Sequence, residues 1–274
     1  MDNENFFSII TPLRNGRPFI DSYLESLLSQ TFRNWEVIIV DDDSNDNSID
    51  LIKRKVKGDN RFNFLKVNIK KNINGPYLAR NIALDASKGK YVCFLDVDDY
   101  WLPNKLSNQK KIIKSNNQIK LIFSSYYRCN FNKQKYTIRK PLIIKDLKTT
   151  LKFINPIPMV DACLLRECIG NIKFQPINHE DYLFWQEVVE KIPENNIYID
   201  DKINSIYRLN NISISSSKIK VINWIWQIYK INHKSKFFNI LKIVIRFLLQ
   251  VIIKIKEKSI TLNKKNFFVK NLKI

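Results

Sequence analysis

Tyr91-Val92-Cys93-Phe94-Leu95-Asp96-Val97-Asp98-Asp99 carries five largely apolar residues straight into a run with three carboxylates. An uninterrupted apolar run opened by the turn signal Lys88-Gly89-Lys90 predicts a strand covered on both faces, as in a parallel α/β sheet. Ligands of such sheets sit beyond the carboxyl ends of the strands, which is where Asp96, Asp98 and Asp99 fall. Three acids this close repel one another, and their charged forms persist together only where a cation lies among them. A hard divalent ion that takes oxygen ligands, Mn2+ or Mg2+, suits that position. The competing reading is that Asp98 and Asp99 only cap the helix that Pro103 opens.

The same pattern recurs upstream. Residues 6–13 are an apolar run stopped by Pro12 and then Asn15-Gly16, which predicts a first strand ending in a loop. Between Pro18 and Gln30, Phe19, Ile20, Tyr23, Leu24, Leu27 and Leu28 recur at helical spacing. Residues 35–40 predict a second buried strand that ends in Asp41-Asp42-Asp43-Ser44, with a helix over about 47–56 after it. A third strand at about 61–67 leads to Asn74-Gly75-Pro76 and a helix over 77–87 that carries Arg80 and Asn81 in its first half. This alternation predicts a doubly wound, mostly parallel sheet flanked by helices, with the Asp41 and Asp96 clusters on one edge and Arg80 within reach of it.

Downstream, the spacing predicts a helix to about Asn116, a strand over 120–127, a less regular basic stretch over 128–157 and an apolar run over 159–165. Glu180 and Asp181 open an amphipathic helix bearing Leu183, Phe184, Val188 and Val189. Acids in a first helical turn are ordinarily dipole partners, so spacing alone assigns them no chemistry. His179 reads as structural. Residues 197–208 read as two short strands and 213–218 as a polar linker.

With 274 residues, 45% of them hydrophobic, the chain is predicted to be globular. The first five residues have neither the positive nor the apolar region of a secretory signal. Cys93, Cys129, Cys163 and Cys168 lack metal-type spacing and read as free thiols of a cytosolic protein. The net charge of +20 is regional: residues 102–157 hold 13 Lys and Arg against Asp146, and residues 219–274 hold 13 against Glu257. The remainder is slightly acidic. Nucleic acid is not the expected partner, because the tail's aromatics fall mostly on an apolar helix face rather than along a basic track.

Residues 237–255 contain 14 apolar residues out of 19, and Asn239, Lys242, Arg246, Gln250 and Lys254 form one narrow polar stripe on a helix. At ~1.5 Å per residue the segment is roughly 28 Å long, close to a bilayer's hydrocarbon core. Arg246 near its centre disfavours spanning by about 2.5–3.5 kcal/mol. A helix lying in an anionic membrane interface, with its cations in the headgroups and Trp224, Trp226 and Tyr229 at the same depth, avoids that cost. Packing on the catalytic domain or on a second subunit is the alternative, and the oligomeric state is open.

The chain resembles the inverting glycosyltransferases of family 2, which have the GT-A fold. The matching stretches are residues 8–15, residues 30–44 with Asp41-Asp42-Asp43, Gly75 through Ala79-Arg80-Asn81, residues 89–106 with Asp96-Val97-Asp98-Asp99, and Glu180-Asp181-Tyr182-Leu183-Phe184-Trp185. They cover roughly residues 6–210 in the family's order. The resemblance implies a nucleotide-sugar site of Thr11, Pro12, Asp41, Asp42, Arg80, Asp96 and Val97, and a metal held by Asp96, Asp98 and Asp99. It also implies that Asp181 is the general base, with Glu180 adjacent. Arg14 stands where an aromatic residue is usual, and Asp43 where glycine is usual.

Activity and partners follow as expectations of the resemblance: transfer of a hexose from a nucleotide-diphosphate donor, such as a UDP-sugar, to a lipid-linked glycan. The pattern is most similar to bacterial enzymes of O-antigen, capsule or teichuronic-type polymers, working at the inner face of the cell membrane. Residues 1–218 would be the catalytic domain, with a nucleotide half over 1–101 and an acceptor half over 102–218, and residues 219–274 a basic amphipathic tail. A non-catalytic sugar-nucleotide-binding scaffold is the alternative. The absence of Gly-x-Gly-x-x-Gly and Walker motifs lowers the odds of dinucleotide or phosphoryl-transfer chemistry.

Overall fold

A computed structural model of the chain describes residues 6–68, 75–130, 135–209, 218–232 and 235–261. The first half runs β1 (Phe7–Leu13), α1 (Ile20–Leu28), β2 (Trp35–Asp41), α2 (Ser48–Lys55), β3 (Phe62–Lys66), α3 (Tyr77–Ala86) and β4 (Tyr91–Phe94). Strand β1 pairs in parallel with both β2 and β4, and β2 with β3. The chain therefore builds outward from one side of β1 and then returns to lay β4 on the other. That reversal makes the crevice beyond the carboxyl ends of β1 and β4 the switch point at which such sheets take ligands.

The second half contains β5 (Tyr100–Trp101), α4 (Lys105–Ser115), β6 (Leu121–Ser124), β7 (Tyr126–Asn130), β8 (Lys135–Arg139), α5 (Leu147–Leu151) and β9 (Cys163–Leu165). It continues through α6 (Glu180–Glu190), β10 (Ile197–Asp200), β11 (Ser205–Arg208), α7 (Lys218–Asn232), α8 (Lys236–Lys256) and β12 (Lys258–Thr261). The main sheet has the order β10-β6-β9-β4-β1-β2-β3. All its pairings are parallel except those of β9, which runs antiparallel to both β4 and β6. A second sheet, β12-β8-β7-β11-β5, lies downstream of the acidic turn.

The central strands are buried on both faces, and their residues alternate between two apolar layers. Ile10, Ile38, Val40, Val92 and Phe94 face one layer, which also holds Ala79, Ala83, Phe184, Trp185 and Val188 from α3 and α6. Ile9, Val37, Ile39 and Cys93 face the other, with Tyr23, Leu24 and Leu27 of α1 and Leu106 and Ile113 of α4. The period of two in a strand assigns alternate side chains to opposite faces, so a continuous apolar run is what a two-sided strand requires.

Two parts of the chain differ from the sequence reading, and a third lies almost wholly outside the described residues. The basic stretch 128–157 contains strand β8, antiparallel to β7, and helix α5, which Asp146 caps by accepting the Thr149 N–H at 2.6 Å. The linker expected over 213–218 lies outside the described residues except for Lys218, which begins α7. Tyr229 is not an interfacial aromatic: it is fully buried in the same layer as α6 and donates to the Phe153 carbonyl at 2.7 Å. Both α7 and α8 pack on the domain, and β12 then returns the chain to β8.

Candidate functional site

The loops that follow β1 and β2 are tied together at the switch point. The Asn15 N–H donates to Ser44 Oγ at 3.1 Å and the Asn45 N–H to Asn15 Oδ1 at 2.9 Å. Asp43 has φ 60°, in the left-handed region that glycine enters freely and Asp tolerates better than most residues. This explains both why glycine is usual there and why Asp can replace it. Gly16 lies so close to its neighbours that an added Cβ would come within 2.7 Å of Leu13 Cδ1 and 2.9 Å of Val97 Cγ1. The resulting groove, of ≈590 Å³, includes Pro12, Arg14, Asp42, Asp96, Val97 and Asp98 in its wall. That size is in the range of small-molecule sites.

The structure brings some of the expected residues to this groove and turns others away. Thr11 is fully buried, with its hydroxyl donating to the Leu95 carbonyl and accepting from Tyr23, both at 2.8 Å. Its side chain joins β1 to the end of β4 and to α1. Asp41 is buried and accepts the Ser44 N–H at 3.2 Å, so it shapes the turn, whereas Asp42 lines the groove.

Asp96, Asp98 and Asp99 form a tight turn in which the Asp99 N–H donates to the Asp96 carbonyl at 3.0 Å. One carboxylate oxygen from each can be chosen so that all lie within 4.8 Å of one another, a spacing compatible with oxygen ligands about one divalent ion. Burial, with repulsion from Asp96, pushes Asp98 up to about 6. Burial and the two neighbouring acids likewise push Asp99 well above the ordinary carboxylate range. A donor set whose charge is this costly alone fits a hard cation. Asp99 also accepts the Arg208 N–H at 3.0 Å, which ties the acidic turn to β11.

Arg208, at the end of β11, is the functional residue that sequence reading missed. Besides its N–H bond to Asp99, its Nε donates to the Asp98 carbonyl at 2.8 Å and its Nη2 to Ser22 Oγ at 3.3 Å. It staples the acidic turn to the second sheet and to α1. Its only sequence signal is a cation at the end of a short strand, 110 residues away from Asp98.

Arg80 joins the acidic turn to the start of α6. The side chain is buried, and its Nη1 donates to Glu180 Oε1 at 2.6 Å while its Nη2 lies 2.9 Å from both oxygens of Asp96. Burial still raises Glu180 above its ordinary value, against the pull of Arg80 and with help from Asp181 and Asp96. Asp181 is only half-buried and accepts from Asn155 Nδ2 at 3.0 Å. His179 precedes the pair with φ 57°, its ring set edge-on to Trp224, and burial lowers its pKa. Of the two acids, Glu180 is thus committed to Arg80 and Asp181 is the more accessible.

The family model described as "Glycosyl transferase family 2" matches residues 8–168. Among curated relatives, the chain is 35% identical to UDP-Glc:alpha-D-GlcNAc-diphosphoundecaprenol beta-1,3-glucosyltransferase WfaP of Escherichia coli, over 78% of this chain and 81% of that one. Among solved structures it is similar to Staphylococcus aureus TarS 1–349 in complex with UDP-GlcNAc, at TM-score 0.65 and 18% identity, covering 88% and 71% of the two chains. Another is the mannosyltransferase PcManGT of Pyrobaculum calidifontis with GDP-Man and Mn2+, at TM-score 0.61 and 16% identity, covering 84% and 64%. The shared architecture is the GT-A fold, and with its acidic turn at the sheet's switch point and this family match the chain belongs to glycosyl transferase family 2 and is a glycosyltransferase.

Proposed function

We propose that the protein transfers a hexose from a UDP-sugar, with inversion, to a hydroxyl of a lipid-linked glycan in surface polysaccharide synthesis. The observation that carries this reading is the joint geometry of the acidic turn and the α6 start, bridged by Arg80 beside a groove large enough for a nucleotide sugar. The relative's name, with a UDP-glucose donor and a diphosphoundecaprenol acceptor, supports the donor and acceptor classes. The neighbours that hold UDP-GlcNAc, or GDP-Man with Mn2+, support a metal-assisted nucleotide site.

In this reading Asp98 and Asp96, with Asp99 beside them, hold Mn2+ or Mg2+. When bound there, such an ion would supply Lewis-acid stabilisation of the departing diphosphate. Pro12, Asp42 and Val97 shape the nucleotide groove, with Asp41 and Thr11 fixing its floor from behind. Arg80 keeps Glu180 and Asp96 in register. Asp181 accepts the proton of the acceptor hydroxyl as that oxygen attacks the anomeric carbon, and the sugar–phosphate bond breaks on the opposite side. Direct displacement of this kind inverts the anomeric centre and needs no covalent nucleophile. Residues 1–101 bind the nucleotide, residues 102–218 the acceptor, and residues 219–274 an anionic membrane surface at the inner face of the cell membrane.

A panel of UDP- and GDP-sugars assayed for hydrolysis and transfer, with Mn2+, with Mg2+ and with chelator, tests the reading. The expected result is turnover of a UDP-hexose that chelator abolishes. Full activity in chelator would remove the metal assignment, and binding of a UDP-sugar without any turnover would favour a scaffold.

A further inference from the structure

Helix α8 is amphipathic the wrong way round for a helix covering a soluble core. The first three residues of its polar stripe, Asn239, Lys242 and Arg246, face the protein. Asn239 is 1% exposed, Arg246 donates to the Phe153 carbonyl at 3.1 Å and lies over the Tyr182 ring, and Lys242 lies over the Tyr229 ring. The apolar stripe faces outward: Phe237, Phe238, Ile240, Val244, Phe247 and Leu248 are each between 51% and 72% exposed. Arg246 is therefore not a headgroup ligand, as the sequence suggested, but the residue that sets the helix's rotation.

That rotation is fixed at several points. Helix α7 lies ahead of α8 and buries Ile225, Ile228 and Tyr229 in the layer shared with α6. Behind α8, Glu257 accepts from Arg128 at 2.9 Å and from Arg139 at 2.6 Å, and β12 pairs antiparallel with β8. A helix clamped in this way cannot roll its apolar side inward, so the stripe needs a partner of its own. Soluble monomers rarely show an apolar strip about 28 Å long.

We propose that α8 lies in the interface of an anionic lipid bilayer, apolar face inward to the lipid, as a foot that also holds the Asp181 end of α6 near that surface. This deepens the reading of a lipid-linked acceptor and rests on it for the second clause. Charge selects the occupant. Besides Lys242 and Arg246, which face the protein, residues 219–274 hold 11 Lys and Arg against Glu257, and Glu257 is already engaged by two arginines. A second copy of this chain would bring the same positive charge against its own, whereas anionic headgroups neutralise it. No helix among the described residues is long and apolar enough to cross a membrane, so the strip must lie along the surface. Distance to the site is short, because Arg246 touches Tyr182, the neighbour of Asp181, and Phe153, two residues before the Asn155 that bonds Asp181. An acceptor sugar attached directly to a lipid diphosphate would then meet the base without leaving the interface.

The test is flotation of the full-length protein with vesicles of phosphatidylcholine alone and of phosphatidylcholine with phosphatidylglycerol, alongside the variant Phe238→Gln/Phe247→Gln/Leu248→Gln. These three side chains are exposed, so the fold should survive, which a thermal melt checks. The wild type should float with the anionic vesicles and the triple variant should bind them at least about tenfold less, because three apolar side chains are lost from the interface. Equal binding by both proteins would overturn the proposal, as would failure of the wild type to bind. So would a wild-type dimer, seen by sedimentation, that the variant splits without any vesicle binding in either, since the face would then belong to a second copy. Calorimetry of UDP binding, done without vesicles, reports on the transferase reading separately and should not differ between the two proteins.

Discussion

Removing the Arg80 guanidinium without removing its volume, as in Arg80→Met, should destabilise the protein by an amount that depends on pH in a defined direction. In the native protein the guanidinium serves Glu180, whose side chain is 10% exposed, and Asp96, at 31%. Breaking a buried ion pair from one side typically costs about 3–5 kcal/mol, because the partner charge is left behind in the protein. Asp96 can turn to water, so the penalty falls mainly on Glu180. Its size is capped, since Glu180 can escape by taking a proton. From an unfolded pKa of about 4.3, neutralising a glutamate at pH 7 costs roughly 3.7 kcal/mol, and at pH 5 only about 1 kcal/mol.

The sign is that of an acid whose folded pKa is raised, as burial raises Glu180 even in the wild type. Stability is then highest below the unfolded pKa and is lost as pH rises towards the folded one. Urea unfolding of wild type and variant at pH 7 and pH 5 should show a deficit of about 3 kcal/mol that shrinks to about 1 kcal/mol on acidification. Adding Glu180→Met should recover most of the loss at pH 7, because no buried charge remains unpaired. A deficit below about 1 kcal/mol at pH 7, or one that widens at pH 5, would refute the view that Arg80 neutralises a buried carboxylate.

Asp181→Asn should lower transfer by about 10²–10⁴-fold while donor affinity, measured by calorimetry, holds; a nearly normal Asp181→Asn enzyme beside a dead but fully folded Glu180→Gln enzyme would exchange their roles. Asp98→Ala should abolish turnover and the response to added Mn2+ with little change in the far-ultraviolet dichroism, and persistent metal-dependent activity would remove Asp98 from the ligand set. Gly89→Ala should cost about 1–3 kcal/mol or more in urea unfolding, because the new Cβ would come within 2.5 Å of the Ser8 backbone nitrogen and 2.7 Å of the Phe7 carbonyl carbon, neither of which can yield cheaply. A change of under about 0.5 kcal/mol would mean that the turn before β4 relaxes more freely than its packing suggests.

The α/β alternation was legible because each central strand is a continuous apolar run and each helix a stripe, and both patterns are local. The acidic edge was legible for the same reason: Asp41 and Asp96 each follow directly on a buried run. What escaped the sequence is what depends on long-range closure. Arg208 has no neighbouring residue that marks it, and its role appears only when β11 lies beside the turn that ends β4. Thr11 was placed in the nucleotide site by its position in a familiar stretch, and the sequence did not show that its hydroxyl bonds Tyr23 and Leu95, which are contacts made across elements. For α8, periodicity located the polar and apolar stripes correctly. It carried no information about which stripe faces the protein, because that choice is made by Phe153, Tyr182 and Tyr229 on other elements.

The antiparallel strand β9 also governs the order in which the sheet can be completed. Strands β4, β1, β2 and β3 are joined by short crossovers, and all their residues have been synthesised by Phe94. Strands β6 and β10 reach that block only through Cys163–Leu165, which bonds β4 on one side and β6 on the other. Until this segment arrives, a nascent chain carries Tyr91, Val92 and Cys93 on an open sheet margin, ready to pair with another copy. Three residues thus join the two blocks of the main sheet and cover the margin of β4.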